Sequence, residues 1–120
     1  MIEASCHCGA VRLTAPAAPE SVTECNCSIC RRLGARWAYF TQGRVRVRSA
    51  PGALKAYVWG DRTIEFYHCT HCGCPTHYES VDEAPGARLA INARCLDPDR
   101  VAGVRVRLFD GAHTWRYLDE

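Results

Sequence analysis

Three cysteine clusters in fixed order constrain this 120-residue chain more than any other feature: Cys6-His7-Cys8, Cys25-Asn26-Cys27-Ser28-Ile29-Cys30 and Cys69-Thr70-His71-Cys72-Gly73-Cys74. Together they hold eight of the nine cysteines, and Cys95 is the ninth. Thiols one or two residues apart make poor disulfide partners and good chelates. Met1 to Ser5 has neither a basic start nor an apolar run, so no secretory leader is expected and the protein is expected in the cytoplasm. In a reducing compartment such clusters read as metal ligands, with a redox dithiol as the competing reading. Any fold of this chain must therefore bring distant thiols together around metal.

Between the clusters the pattern is that of short strands. Ile2 to Ser5, Ala10 to Thr14, Ser21 to Cys25, Arg36 to Thr41, Arg44 to Arg48, Leu54 to Trp59, Thr63 to His68, Thr76 to Ser80, Arg88 to Ala93 and Val104 to Phe109 are each expected to be extended. Gly60-Asp61 suggests a hairpin between two of them. Helical character is confined to Ser28 to Leu33, with Ser28 as the expected N-cap and Gly34 as the stop. The expected fold class is all-β, mainly small antiparallel sheets around zinc, with little helix, as one domain over 1–120. No apolar run reaches membrane-spanning length, so no membrane partner is expected.

The formal charge is +2 with cysteines neutral. Binding two zinc ions through seven thiolates would bring it to about −1, so composition gives no reason to expect a nucleic-acid partner. The alternating arginines at Arg44/Arg46/Arg48 and Arg105/Arg107 are read as wet strand faces, able to form an anion-attracting patch only if adjacent. Arg31 and Arg32 follow the central cluster and read either as surface charge or as a clamp for a substrate carboxylate.

Spacing supports two zinc ions but does not fix which thiols bind which ion. The simplest allotment joins Cys6 and Cys8 to Cys69 and Cys72, and leaves Cys25, Cys27 and Cys30 for the second. Three thiolates are one ligand short of a closed tetrahedral site, and an open position is what a catalytic zinc keeps.

The runs Cys6-His7-Cys8-Gly9-Ala10-Val11, Cys25-Asn26-Cys27-Ser28-Ile29-Cys30-Arg31 and Cys69-Thr70-His71-Cys72-Gly73, with the late Leu96-Asp97 and Trp115, resemble the glutathione-dependent formaldehyde-activating enzyme family, whose domain is shared with centromere protein V. The resemblance spans nearly the whole chain. It implies a β-tent type of fold, a structural zinc on Cys6, Cys8, Cys69 and Cys72, and a catalytic zinc on Cys25, Cys27 and Cys30. It further implies a carbon–sulfur lyase activity that joins glutathione and formaldehyde as S-(hydroxymethyl)glutathione. The chain departs from the family pattern at Cys74 and Cys95. Either thiol could supply a fourth ligand to the central zinc, which would make that site structural.

Two other functions compete. A purely structural two-zinc module for protein or nucleic acid would have both ions closed by cysteines. A methionine sulfoxide reductase of the B class would use Cys95 as nucleophile, but the cluster spacing fits it poorly. Among the histidines, His77 is the best placed by sequence for a role near the second zinc, because it trails Cys74. His7, His68 and His71 read as neighbours of ligands rather than ligands. Asp97 is read as a turn former. Trp37, Tyr39, Phe40 and Trp115 read as core residues, some able to line a cleft.

Overall fold

The computed structural model describes residues 1–119. Ten strands form two sheets: β1 (Ile2–Ser5), β2 (Val11–Ala15), β3 (Ser21–Cys25), β4 (Trp37–Thr41), β5 (Arg46–Ser49), β6 (Leu54–Tyr57), β7 (Ile64–Cys69), β8 (Pro75–Ser80), β9 (Arg88–Asn92) and β10 (Arg105–Phe109). The smaller sheet has the order β1-β2-β5 and the larger the order β10-β3-β4-β9-β8-β7-β6. All pairings are antiparallel except β10 with β3, which run parallel. Among the described residues, helix is limited to α1 (Ser28–Leu33), α2 (Pro98–Val101) and two 3₁₀ turns, Gln42–Arg44 and Ala93–Cys95. The all-β class expected from sequence is the fold observed.

Alternation explains where the core sits. Successive side chains on a strand point to opposite faces. In β9, Leu89 and Ile91 belong to one buried cluster and Ala90 to another. The large sheet is therefore covered on both sides, which is why β9 is apolar almost throughout. Its first face packs with Ile2, Ala4, Val11, Leu13 and Ala15 of the small sheet. Its second face carries Trp37, Phe66 and Tyr78, in mutual aromatic contact, with centroids 4.8 Å apart for Trp37–Tyr78 and 5.4 Å for Phe66–Tyr78. This aromatic face is the floor of the site described below.

Several local expectations change. Arg44 is not in a strand: Gly43 N–H donates to the Pro85 carbonyl at 3.0 Å and Gln42 N–H to that of Ala87, which coils 42–44 into a 3₁₀ turn before β5 starts at Arg46. The two arginine-bearing strands lie in different sheets, β5 in the small and β10 in the large. Arg48 pairs with Glu3 at 3.2 Å, and Arg105 and Arg107 pair with Asp119 at 2.6 and 3.3 Å. These arginines are paired with carboxylates in separate sheets rather than pooled for one anion. Asp97 caps α2 by accepting from Asp99 N–H, consistent with its reading as a turn former. No helix among the described residues is long and apolar enough to cross a membrane.

Candidate metal centres and the cleft above one of them

Two groups of thiols converge. Cys6, Cys8, Cys69 and Cys72 form one, Cys25, Cys27 and Cys30 the other, and within each group all sulfurs lie within 4.8 Å of one another. Cys6 and Cys8 lie in the turn from β1 to β2, where Cys6 N–H bonds the Val11 carbonyl and Val11 N–H donates to Cys6 Sγ at 3.3 Å. Cys69 ends β7, and Cys72 lies in the turn to β8. That turn is closed by Gly73 N–H donating to the Cys69 carbonyl at 2.8 Å, with Gly73 at φ +78°, a value that disfavours any side chain there. The four-thiol group thus clips a hairpin of the small sheet to a hairpin of the large one, across 61 residues of chain.

The donor geometry fits zinc. A Zn–S distance of about 2.3 Å with tetrahedral angles places sulfurs roughly 3.8 Å apart. The Cys6–Cys8 and Cys8–Cys69 sulfurs are each 3.7 Å apart. All-thiol sets of this kind select zinc or iron–sulfur centres over hard cations.

The three-thiol group is built by one strand end and one helix start. Cys25 ends β3, Cys27 is the N-cap of α1, and Cys30 lies within α1 and is buried. The cap is Cys27 rather than Ser28: its sulfur accepts from Cys30 N–H at 3.5 Å. A sulfur can serve as cap here because the residue two positions back, Cys25, already fixes the approach of the chain, with Cys27 N–H donating to its sulfur at 3.5 Å. Gly34 stops the helix in the left-handed conformation, φ +66°, and donates to the Cys30 carbonyl.

Backbone donors and neighbouring thiols polarise this group. Cys25 is pulled down to about 6, first by the Cys30 thiol and then by the Cys27 and Gly111 N–H groups, against the opposing effect of burial. Cys30 is pushed above the usual thiol range, first by Cys25 and then by burial, while Trp37 acts in the opposite sense. The Trp37 indole N–H is buried without a hydrogen-bond partner. An indole nitrogen can only donate, so a spare donor beside Cys30 suits a negatively charged, metal-held sulfur. Cys72 in the other group is also lowered to about 6, by the Cys8 and Cys74 backbone N–H groups.

The turn after β10 packs directly on Cys25. Because β10 and β3 are parallel and in register, with Phe109 opposite Cys25, both strands end at the same level. Asp110 locks the turn: its carboxylate accepts from Asn26 Nδ2 at 2.9 Å and from the Thr114 N–H and hydroxyl at 3.1 and 2.9 Å. The Asn26 side-chain hydrogen bond, followed by those of Thr114, holds the Asp110 carboxyl below the usual carboxylate range. Asn26 Oδ1 in turn accepts from Ala112 N–H at 2.9 Å. Gly111 sits against the thiols so closely that a Cβ there would be 2.7 Å from Cys25 Sγ and 3.2 Å from Cys27 Cβ. Gly111→Ala is expected to weaken metal at the three-thiol group by roughly tenfold or more, the scale of an outer-shell defect. Metal at the four-thiol group should be unchanged. Competition with a chromophoric chelator measures both, and equal affinities for wild type and variant would contradict the packing.

Above the three thiols opens a cleft of about 930 Å³. Its floor is the aromatic face of the large sheet: Trp37, Tyr39, Phe66 and Tyr78. Trp59 and Trp115, both exposed, stand at its sides. Its charged lining consists of Arg31, Arg88 and Asp61. Burial raises the Tyr39 and Tyr78 phenols, which keeps them as neutral hydroxyls at neutral pH. Arg88 lies 4.3 Å above the Tyr39 ring.

The sulfurs of Cys74 and Cys95, the candidates for a fourth ligand considered from sequence, are not among those that converge with Cys25, Cys27 and Cys30. Their sulfurs face each other at 3.7 Å and both approach the Pro75 carbonyl. Nor is His77 at the second group. It pairs with Ile91 across β8 and β9, on the face opposite the cleft, and is buried with Nδ1 2.9 Å from Thr76 Oγ1, its ring stacked on Tyr67. Trp59, Gly111 and the Asn26–Asp110 lock were not singled out from sequence. The only hint for Asn26 was its place between two ligating cysteines.

The family model for the glutathione-dependent formaldehyde-activating enzyme matches residues 1–112. The chain belongs to that family. A solved structure similar to it, a crystal structure of a Rhodobacter sphaeroides protein, is 28% identical over 88% of this chain and 99% of that one, with a TM-score of 0.71. Family membership agrees with the glutathione- and formaldehyde-related function that the resemblance implies, and with the association of such thiol groups with zinc.

Proposed function

We propose that this protein binds a small thiol, glutathione by preference, at a zinc held by Cys25, Cys27 and Cys30, and joins it to formaldehyde as S-(hydroxymethyl)glutathione. A second zinc, on Cys6, Cys8, Cys69 and Cys72, holds the fold. The observation that carries the reading is a group of only three thiols opening into a large cleft, where the other group has four. An open zinc supplies a position at which a substrate thiol loses its proton near neutral pH.

The chain's own residues do the rest. Two cations, Arg31 and Arg88, and one anion, Asp61, line the cleft. That matches the two carboxylates and single ammonium of glutathione. Aromatic side chains line the space around the reacting sulfur, and the cleft leaves room for an aldehyde beside it. In the reaction the sulfur lone pair forms a bond to the formaldehyde carbon, the C=O π pair moves to oxygen, and that oxygen takes up a proton. The neutral phenols of Tyr39 and Tyr78 are donors suited to that oxygen.

Cobalt-substituted protein tests the reading. Glutathione should intensify the sulfur-to-cobalt charge-transfer band, and S-methylglutathione should not. Arg88→Ala should raise the glutathione Kd by about tenfold, the loss expected for one charge-assisted hydrogen bond. A spectrum indifferent to every thiol offered would exclude an open site and leave a structural two-metal module.

A further inference from the structure

We propose that Cys74 and Cys95 form a reversible disulfide, a redox-modification site separate from both metal groups. Neither sulfur is among the seven that converge as candidate ligands. They lie 3.7 Å apart, at van der Waals contact, and need to approach by about 1.7 Å to reach the covalent length. Each is half-buried, sheltered yet reachable by a small reagent.

The backbone around them holds the sulfurs face to face. Both point at one acceptor, the Pro75 carbonyl, at 3.7 Å from Cys74 and 3.4 Å from Cys95. That carbonyl is pinned by Asn92 Nδ2 at 2.9 Å, while Asn92 Oδ1 caps the 3₁₀ turn carrying Cys95 through Arg94 N–H. Cys74 lies in the turn just before β8 and Cys95 in the turn just after β9, so closure breaks no strand ladder. With no third ligand converging on the pair among the described residues, a disulfide suits it better than a metal.

The oxidant is a low-molecular-weight disulfide, RSSR. One cysteine sulfur attacks RSSR and displaces RS⁻. The other attacks the protein-side sulfur of the mixed disulfide and displaces the second RS⁻. The protein loses two electrons and two protons, which leave as two RSH. Reduction is the same sequence reversed.

The zinc-loaded protein incubated with excess hydroxyethyl disulfide provides the test, since that probe has no glutathione features and the outcome is independent of the cleft. Intact mass should fall by two hydrogens, a peptide linking Cys74 to Cys95 should appear, and metal content should be unchanged. Cys74→Ser and Cys95→Ser should each instead retain a mixed disulfide on the remaining sulfur. Free Cys74 and Cys95 under excess oxidant would overturn the proposal. So would linked peptides drawn only from the two metal groups.

Discussion

Cys69→Ser is expected to leave the chain without a cooperative fold. Cys69 is fully buried at the end of β7, and its sulfur lies 3.7 Å from that of Cys8 in the four-thiol group. Metal binding by thiol sets in small zinc-dependent domains contributes on the order of 10–16 kcal/mol. Net stabilities of natural domains are about 5–15 kcal/mol. Losing even part of the first quantity is enough to remove the second. The small sheet is especially exposed to this loss, because three short strands are marginal alone and its hairpin is tied to the large sheet at Cys6 and Cys8. Thermal unfolding followed by circular dichroism should show a sharp transition for zinc-loaded wild type and none for the variant. A strong chelator should reproduce the variant's behaviour in wild type. A cooperative transition within a few degrees of wild type would show that the clip is not what holds the two sheets together.

Cys27→Ser is expected to do the opposite: keep the fold and lose the site. The N-cap role of Cys27 passes to serine, which accepts from N3 as well as or better than sulfur. The hydrophobic clusters and the four-thiol group are untouched. What disappears is one of three thiolates in an already incomplete set. Metal content should fall from two ions to one per chain, and affinity for glutathione should drop by at least about hundredfold, beyond the range that outer-shell defects produce. The thermal transition should move little. Loss of both ions, or wild-type glutathione binding with one ion, would break the division of labour between the two groups.

Much of this division was legible in the sequence, and the reasons are local. The spacing of Cys25, Cys27 and Cys30 across a strand end and a helix start is a property of six residues, and α1 lies over the stretch expected, 28 to 33. Alternation marked most strands within a residue or two. Long-range consequences were not legible. The parallel pairing of β10 with β3 places Gly111 on Cys25, and no local pattern distinguishes that pairing from an antiparallel one. The aromatic floor needs Trp37, Phe66 and Tyr78 from three strands to share one face of a sheet covered on both sides. Cys74 and Cys95 were ambiguous because the first follows the C-x-x-C-G turn and the second precedes Leu96-Asp97. A change of direction after Gly73, at φ +78°, sends Cys74 toward Pro75 and Cys95 instead of toward either metal group.

Zinc K-edge absorption on the doubly loaded protein, without and with glutathione, tests the central claim most directly. Seven protein sulfurs shared by two ions, with a lighter atom completing the shell, should give a mean sulfur coordination of about 3.5. Saturating glutathione should raise it to about four. A value of four before any thiol is added, unchanged afterwards, would mean that the site above which the cleft opens is already closed.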